Sequence, residues 1–125
     1  MKDAYRMVSE FHRAFGHTAP AEPCIPSDEV LHLRHSLILE ELCEYRQAAF
    51  EGDAVAIADA LADLAYVVIG TAVAHGLTQF DEIFAEVHRA NLCKTWPDGK
   101  VRYRDDGKVM KPPGWTSPNI ERFLK

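Results

Sequence analysis

Cysteine is scarce in this 125-residue chain: Cys24, Cys43 and Cys93 are the only three, odd in number and far apart. They form no CxxC pair of the kind zinc or redox chemistry uses, so the expectation is reduced thiols in a cytoplasmic protein. An excess of positive charge is also missing. Lys and Arg number 14 against 19 Asp and Glu, and the net charge of −5 argues against a surface for duplex nucleic acid or anionic lipid. The N-terminus begins Met1-Lys2-Asp3 and soon carries Arg6 and Glu10, leaving no apolar core for a signal peptide. The longest apolar stretch, Leu64 to Ala74, has 11 residues, against the roughly 20 that a membrane helix needs, so no membrane insertion is expected. Internal repeats and low-complexity segments are absent. What remains is 47% hydrophobic and 26% charged, an ordinary globular composition, and the length predicts a single domain over residues 1–125.

Periodicity predicts an all-α fold. Tyr5, Val8, Phe11, His12 and Phe15 recur at helical spacing before Gly16, giving a short first helix over Asp3 to Phe15. The segment from His17 to Pro26 holds three prolines and marks a loop. Ser27 with Asp28 and Glu29 caps a second helix, Asp28 to Phe50, ended by Gly52. Asp53 caps a third over Ala54 to His75, and Thr78 with Asp81 opens a fourth over Gln79 to Lys94. Short loops between long helices predict antiparallel neighbours in a four-helix-type bundle. Residues 96–117 should form an irregular tail, with a short hairpin joining Val101 to Tyr103 with Val109 and a helical turn near Asn119. The third helix has no wide polar face, and four helices would hardly surround one of their own, so a homodimer or a dimer of dimers is expected to complete the core.

The chemistry-bearing residues are acidic. Glu40, Glu41 and Glu44 share a face of the second helix, while Asp59 and Asp63 lie one turn apart in the apolar third. Taken singly, each fits a solvated face or an ion pair with Arg46, Arg34 or a lysine. If antiparallel packing brings both sets together, several carboxylates face one point, and the natural compensation is a hard divalent cation such as Mg²⁺, which suits carboxylate oxygens and phosphate. On the fourth helix, Asn91 and Lys94 are three apart and offer a donor and a cation for phosphate oxygens. Lys94 alone also fits the positive charge that a helix C-terminus favours. Arg34 and His35 lie about two turns before the glutamates and could reach the same cleft, although an isolated Arg34 is expected to be solvated. His12 and His17 are read as structural.

Three segments, Glu40-Glu41-Leu42-Cys43-Glu44, Asp59 to Val67, and Glu86-Val87-His88-Arg89-Ala90-Asn91-Leu92-Cys93-Lys94, resemble the all-α nucleoside triphosphate pyrophosphohydrolase superfamily. This includes MazG-like proteins, dimeric dUTPases and phosphoribosyl-ATP pyrophosphohydrolases. Phe11 to Gly16 and the tail Asp106-Gly107-Lys108-Val109, Lys111-Pro112 and Gly114-Trp115 are similar to the MazG-like dUTPase branch.

The resemblance implies that Glu41, Glu44 and Asp63 bind Mg²⁺, with Mn²⁺ as a substitute, and that Glu40 is the general base or a further ligand. It also implies that Asn91 and Lys94 contact nucleotide phosphate, with Lys111 and Trp115 on a tail closing over the site; Tyr66 and Arg34 are counted with the nucleotide contacts. The superfamily pattern, EExxE then ExxD, is broken at Ala60, where it has Glu, and Asp59 is the candidate replacement. The implied activity is cleavage of a nucleoside triphosphate, dUTP or another dNTP first, to monophosphate and pyrophosphate. A phosphoribosyl-ATP pyrophosphohydrolase and a non-catalytic nucleotide-binding helical dimer are the alternatives.

Overall fold

The structure, a computed structural model, describes residues 2–125, with Lys2 described by its backbone alone; Met1, counted in the expected single domain, lies outside the described residues. Four α-helices carry the fold: α1 (Lys2–Ala14), α2 (Asp28–Glu51), α3 (Ala54–Ala74) and α4 (Phe80–Leu92). A single 3₁₀ turn, Glu121–Phe123, follows near the C-terminus. No strand occurs among the described residues, so the fold class is all-α. The chain divides into two compact units, Met1–Phe80 and Asp81–Lys125.

In the first unit, α2 and α3 form an antiparallel hairpin. Gly52 supplies the left-handed backbone (φ 71°) that ends α2, a conformation costing glycine nothing for want of a Cβ. Its neighbour Asp53 starts α3 by accepting the Ala56 N–H at 3.1 Å. Ser27 performs the same task for α2, accepting from Val30 N at 3.4 Å. Helix α1 packs against α3 through a small core of Val8, Ile69 and Val73, with Ala4, Tyr5, Ala19 and Phe80 around it. The loop after α1 is tied down where Cys24 N donates to the His75 carbonyl at 2.9 Å. Gly76 sits under this loop, where a Cβ would run into the Glu22 carbonyl.

Helix α3 has no wide polar face, yet the chain does not cover its apolar residues on every side: Val55 is 81% exposed, and Leu61 and Val68 are also open to solvent. An 18-residue stretch of this 21-residue helix reaches a mean hydropathy of 1.7, long and apolar enough by composition to cross a membrane, which the run from Leu64 alone did not suggest. Asp59 and Asp63 stand in it, and a carboxylate in hydrocarbon is expensive.

The second unit holds α4 and the tail. Tyr103 and Val109 form one antiparallel bridge around the Asp106-Gly107 turn, a reduced version of the expected hairpin. Arg104 N donates to the Lys108 carbonyl at 2.8 Å and Met110 N to the Arg102 carbonyl at 2.7 Å.

Candidate active site

Antiparallel pairing of α2 and α3 brings Glu41, Glu44 and Asp63 together, each offering an oxygen within 4.8 Å of the others. Glu41 and Glu44 are three residues apart on α2, so helical geometry aligns them before any tertiary contact forms. Asp63 joins from the facing helix. Glu41 is half-buried and its Oε2 has no hydrogen-bond partner, whereas Glu44 and Asp63 are exposed. Burial first, then a hydrogen bond with Glu44, then the negative charges of Glu44, Asp63 and Glu40 push the Glu41 carboxyl above the usual carboxylate range.

No basic side chain among the described residues relieves this crowding. Among the described residues none of the three carboxylates is in an ion pair, and the candidate partners are engaged elsewhere. Arg46 lies 5.8 Å from the Phe50 ring centroid, and Arg34 is bound to α3 backbone and hydroxyl groups. An orphaned, buried carboxylate oxygen within an all-oxygen donor set fits a hard divalent cation. Glu40 and Asp59 are exposed and stand outside the triad. Ala60, where the superfamily pattern has Glu, is 4% exposed, so a small side chain fills that part of the packed helix face.

A cavity of about 410 Å³ opens beside the triad, and Glu41 and Asp63 are part of its wall. Leu33, Leu37, Tyr66 and Val67 continue the wall, and Phe11, His12 and His17 close it from α1 and its loop. Phe11 meets Tyr66 edge to face at 5.7 Å and lies nearly parallel to His17 at 6.1 Å, so the cavity carries an aromatic wall. His12 is buried, with Nδ1–H directed at the Thr18 carbonyl at 2.9 Å. Burial before all else lowers its pKa below the usual imidazole value, outweighing that hydrogen bond, with Arg34 and His17 adding to the fall. Sequence reasoning left both histidines as structural, because only the folding of α1 onto α3 carries them to the cavity.

Arg34 also departs from expectation: it is 6% exposed, not solvated. Its Nε donates to Thr71 Oγ1 at 3.2 Å and its Nη2 to the Val67 carbonyl at 2.9 Å. Gly70 makes room for it, since a Cβ there would lie 2.5 Å from Nη2.

In the second unit, Lys94 and Lys111 flank the Trp115 indole, their ammonium nitrogens 5.5 and 4.8 Å from its centroid. The indole N–H is fixed on the Ala90 carbonyl at 2.8 Å. Asn91 is exposed. The organising group is Glu86, which sequence reasoning quoted only within its motif. Buried, it accepts from Arg89 Nε and Nη2 at 2.9 and 2.7 Å, from Arg122 Nη2 at 3.1 Å and from Asn119 N at 3.0 Å. The Arg89 hydrogen bonds, then the Asn119 N–H, hold its pKa down at about 2. The i,i+3 spacing of Glu86 and Arg89 was the one available signal.

Residues 8–91 match the family described as phosphoribosyl-ATP pyrophosphohydrolase, well over half of the chain and including the whole acidic triad. A comparison with curated proteins returns no match.

Proposed function

The chain belongs to the phosphoribosyl-ATP pyrophosphohydrolase family, whose members cut phosphoanhydride bonds, and on that premise we propose that it hydrolyses a nucleoside triphosphate between the α and β phosphates. The observation that carries this reading is the triad of Glu41, Glu44 and Asp63, three convergent carboxylates without a basic partner among the described residues. A divalent cation held by these three side chains, Mg²⁺ or Mn²⁺, would supply neutralising charge for the phosphate oxygens. Glu40 accepts a proton from the attacking water as its oxygen bonds to the α-phosphorus and the bond to the bridging oxygen breaks. Monophosphate and pyrophosphate leave. Asp59 stands ready as a further ligand, and Asn91, Lys94 and Lys111 as donors to phosphate oxygens, by the likeness of their motifs.

Two substrates have support. The family match favours phosphoribosyl-ATP; the first helix and tail, by resemblance, favour dUTP or another dNTP. The exposed apolar side chains of α3 support a homodimer or a dimer of dimers. The net charge of −5 supports action on a small nucleotide, not on nucleic acid or at a membrane, and the three free cysteines support the cytoplasm.

The test is incubation with Mg²⁺ and phosphoribosyl-ATP, dUTP, the other dNTPs or the ribonucleotides, with both products identified. Monophosphate plus pyrophosphate, lost in Glu41→Gln, is the expected result. Orthophosphate release would contradict it, and Mg²⁺-independent binding without turnover would select a non-catalytic nucleotide-binding protein.

A further inference from the structure

Among the described residues, Arg34 is a buried cation without a counter-ion. Its guanidinium spends Nε and Nη2 on neutral acceptors, Thr71 Oγ1 and the Val67 carbonyl. Nη1 makes no hydrogen bond, and the side chain forms part of the wall of the cavity that also contains Glu41 and Asp63. A guanidinium held by neutral partners alone keeps Nη1 available to donate a charge-assisted hydrogen bond to a ligand oxygen in the cavity.

The antiparallel helices order the cavity along its length. Arg34 is seven residues before Glu41 on α2, about 10 Å along the axis. On α3 the sequence runs from Asp63 through Tyr66 and Val67 to Thr71, which is paired with Arg34. Tyr66, in contact with Phe11, therefore stands between the carboxylates and the guanidinium. A nucleotide whose phosphates sit at the carboxylates would lay its base against this aromatic pair, and the far edge of that base would meet Arg34.

We propose that Arg34 determines base-end specificity: with the base against Phe11 and Tyr66, its guanidinium donates to an acceptor oxygen at the far end of the nucleotide. That oxygen is a ring carbonyl or belongs to the phosphate of a base substituent. The proposal rests on the nucleotide reading of the site and assigns Arg34 to the base end instead of the triphosphate.

Two substrate pairs separate the oxygen sources: dUTP against the triphosphate of 2-pyrimidinone deoxyriboside, which lacks the 4-oxo group, and phosphoribosyl-ATP against ATP. Turnover is measured with Mg²⁺, and binding by calorimetry with Ca²⁺ in its place. Wild type should prefer the oxygen-bearing member of one pair by at least about tenfold, the discrimination expected when a buried donor is left unpaired. Preference within the first pair identifies a ring carbonyl, within the second a substituent phosphate.

In Arg34→Gln that ratio should fall toward one. Gly70→Ala, whose methyl meets Nη2 at 2.5 Å and His12 Nε2 at 3.0 Å and so displaces the guanidinium without changing it, should lower the same ratio and guards against a folding defect in the first variant. A wild type indifferent to both pairs, or folded variants that weaken both members of a pair by the same factor, would overturn the proposal. Binding that discriminates without any turnover would remove the proposed hydrolysis and leave the role of Arg34 standing.

Discussion

Glu41 on α2 and Glu86 on α4 are both carboxylates drawn out of water, and they end in opposite electrostatic states. Glu86 accepts four hydrogen bonds from Arg89, Arg122 and Asn119, and its pKa falls to about 2. Glu41 faces Glu44 and Asp63, leaves Oε2 without a partner, and its pKa rises. The first is a finished structural junction. The second retains unsatisfied charge, the condition in which a folded protein binds something further.

The largest effect that would sharpen this contrast is on activity. Glu41→Gln should lower turnover by about a thousandfold or more, while metal-free Tm holds or rises because repulsion with Glu44 and Asp63 is relieved. A product assay paired with a thermal melt checks both halves; a variant that melts early would make Glu41 structural.

Glu86→Gln should do the reverse, lowering Tm by more than about 5 °C, because two guanidinium groups lose their carboxylate. The pH dependence has a definite sign. A carboxylate depressed to about 2 stabilises the fold above its unfolded pKa, near 4.3, and that stabilisation is lost as pH falls from about 5 toward 2. Urea melts across this window should show a steeper decline for wild type than for Glu86→Gln, and equal slopes would refute the assignment.

Metal addition comes next in size. Mg²⁺ or Mn²⁺ at a hundred times its dissociation constant should stabilise wild type by about 2.7 kcal/mol, and Asp63→Asn should abolish the gain. A thermal shift that survives Asp63→Asn would place the cation elsewhere. The smallest effect belongs to a third carboxylate, Asp53, which only caps α3. Asp53→Ala should cost about 1 kcal/mol by denaturant titration and leave the metal response intact.

Much of the first unit was legible in the sequence. Helices α2 and α3 begin at the predicted residues, because Ser27 and Asp53 cap them by hydrogen bonds to backbone N–H groups three residues on. The pairing of Glu41 with Glu44 was also legible, being fixed by helical periodicity alone. The cavity wall was not. His12, His17 and Phe11 come from α1 and its loop, and no spacing relates them to Glu41 or Asp63. Arg34 was misjudged for a related reason: nothing local distinguishes a solvated arginine from one threaded past Gly70 onto the Val67 carbonyl.

The sequence by itself determined the all-α class, the starts of α2 and α3 and the alignment of acidic residues on each helix, since these follow from interactions spanning a few residues; α4 ends at Leu92, two residues before the expected Lys94. The resemblance of its motifs named Asp63 beside Glu41 and Glu44, but tertiary structure alone decided that Glu41 loses a hydrogen-bond partner and that Arg34 is buried without a counter-ion among the described residues. Burial and charge compensation depend on which helix faces which, a relation that distant segments acquire only by packing.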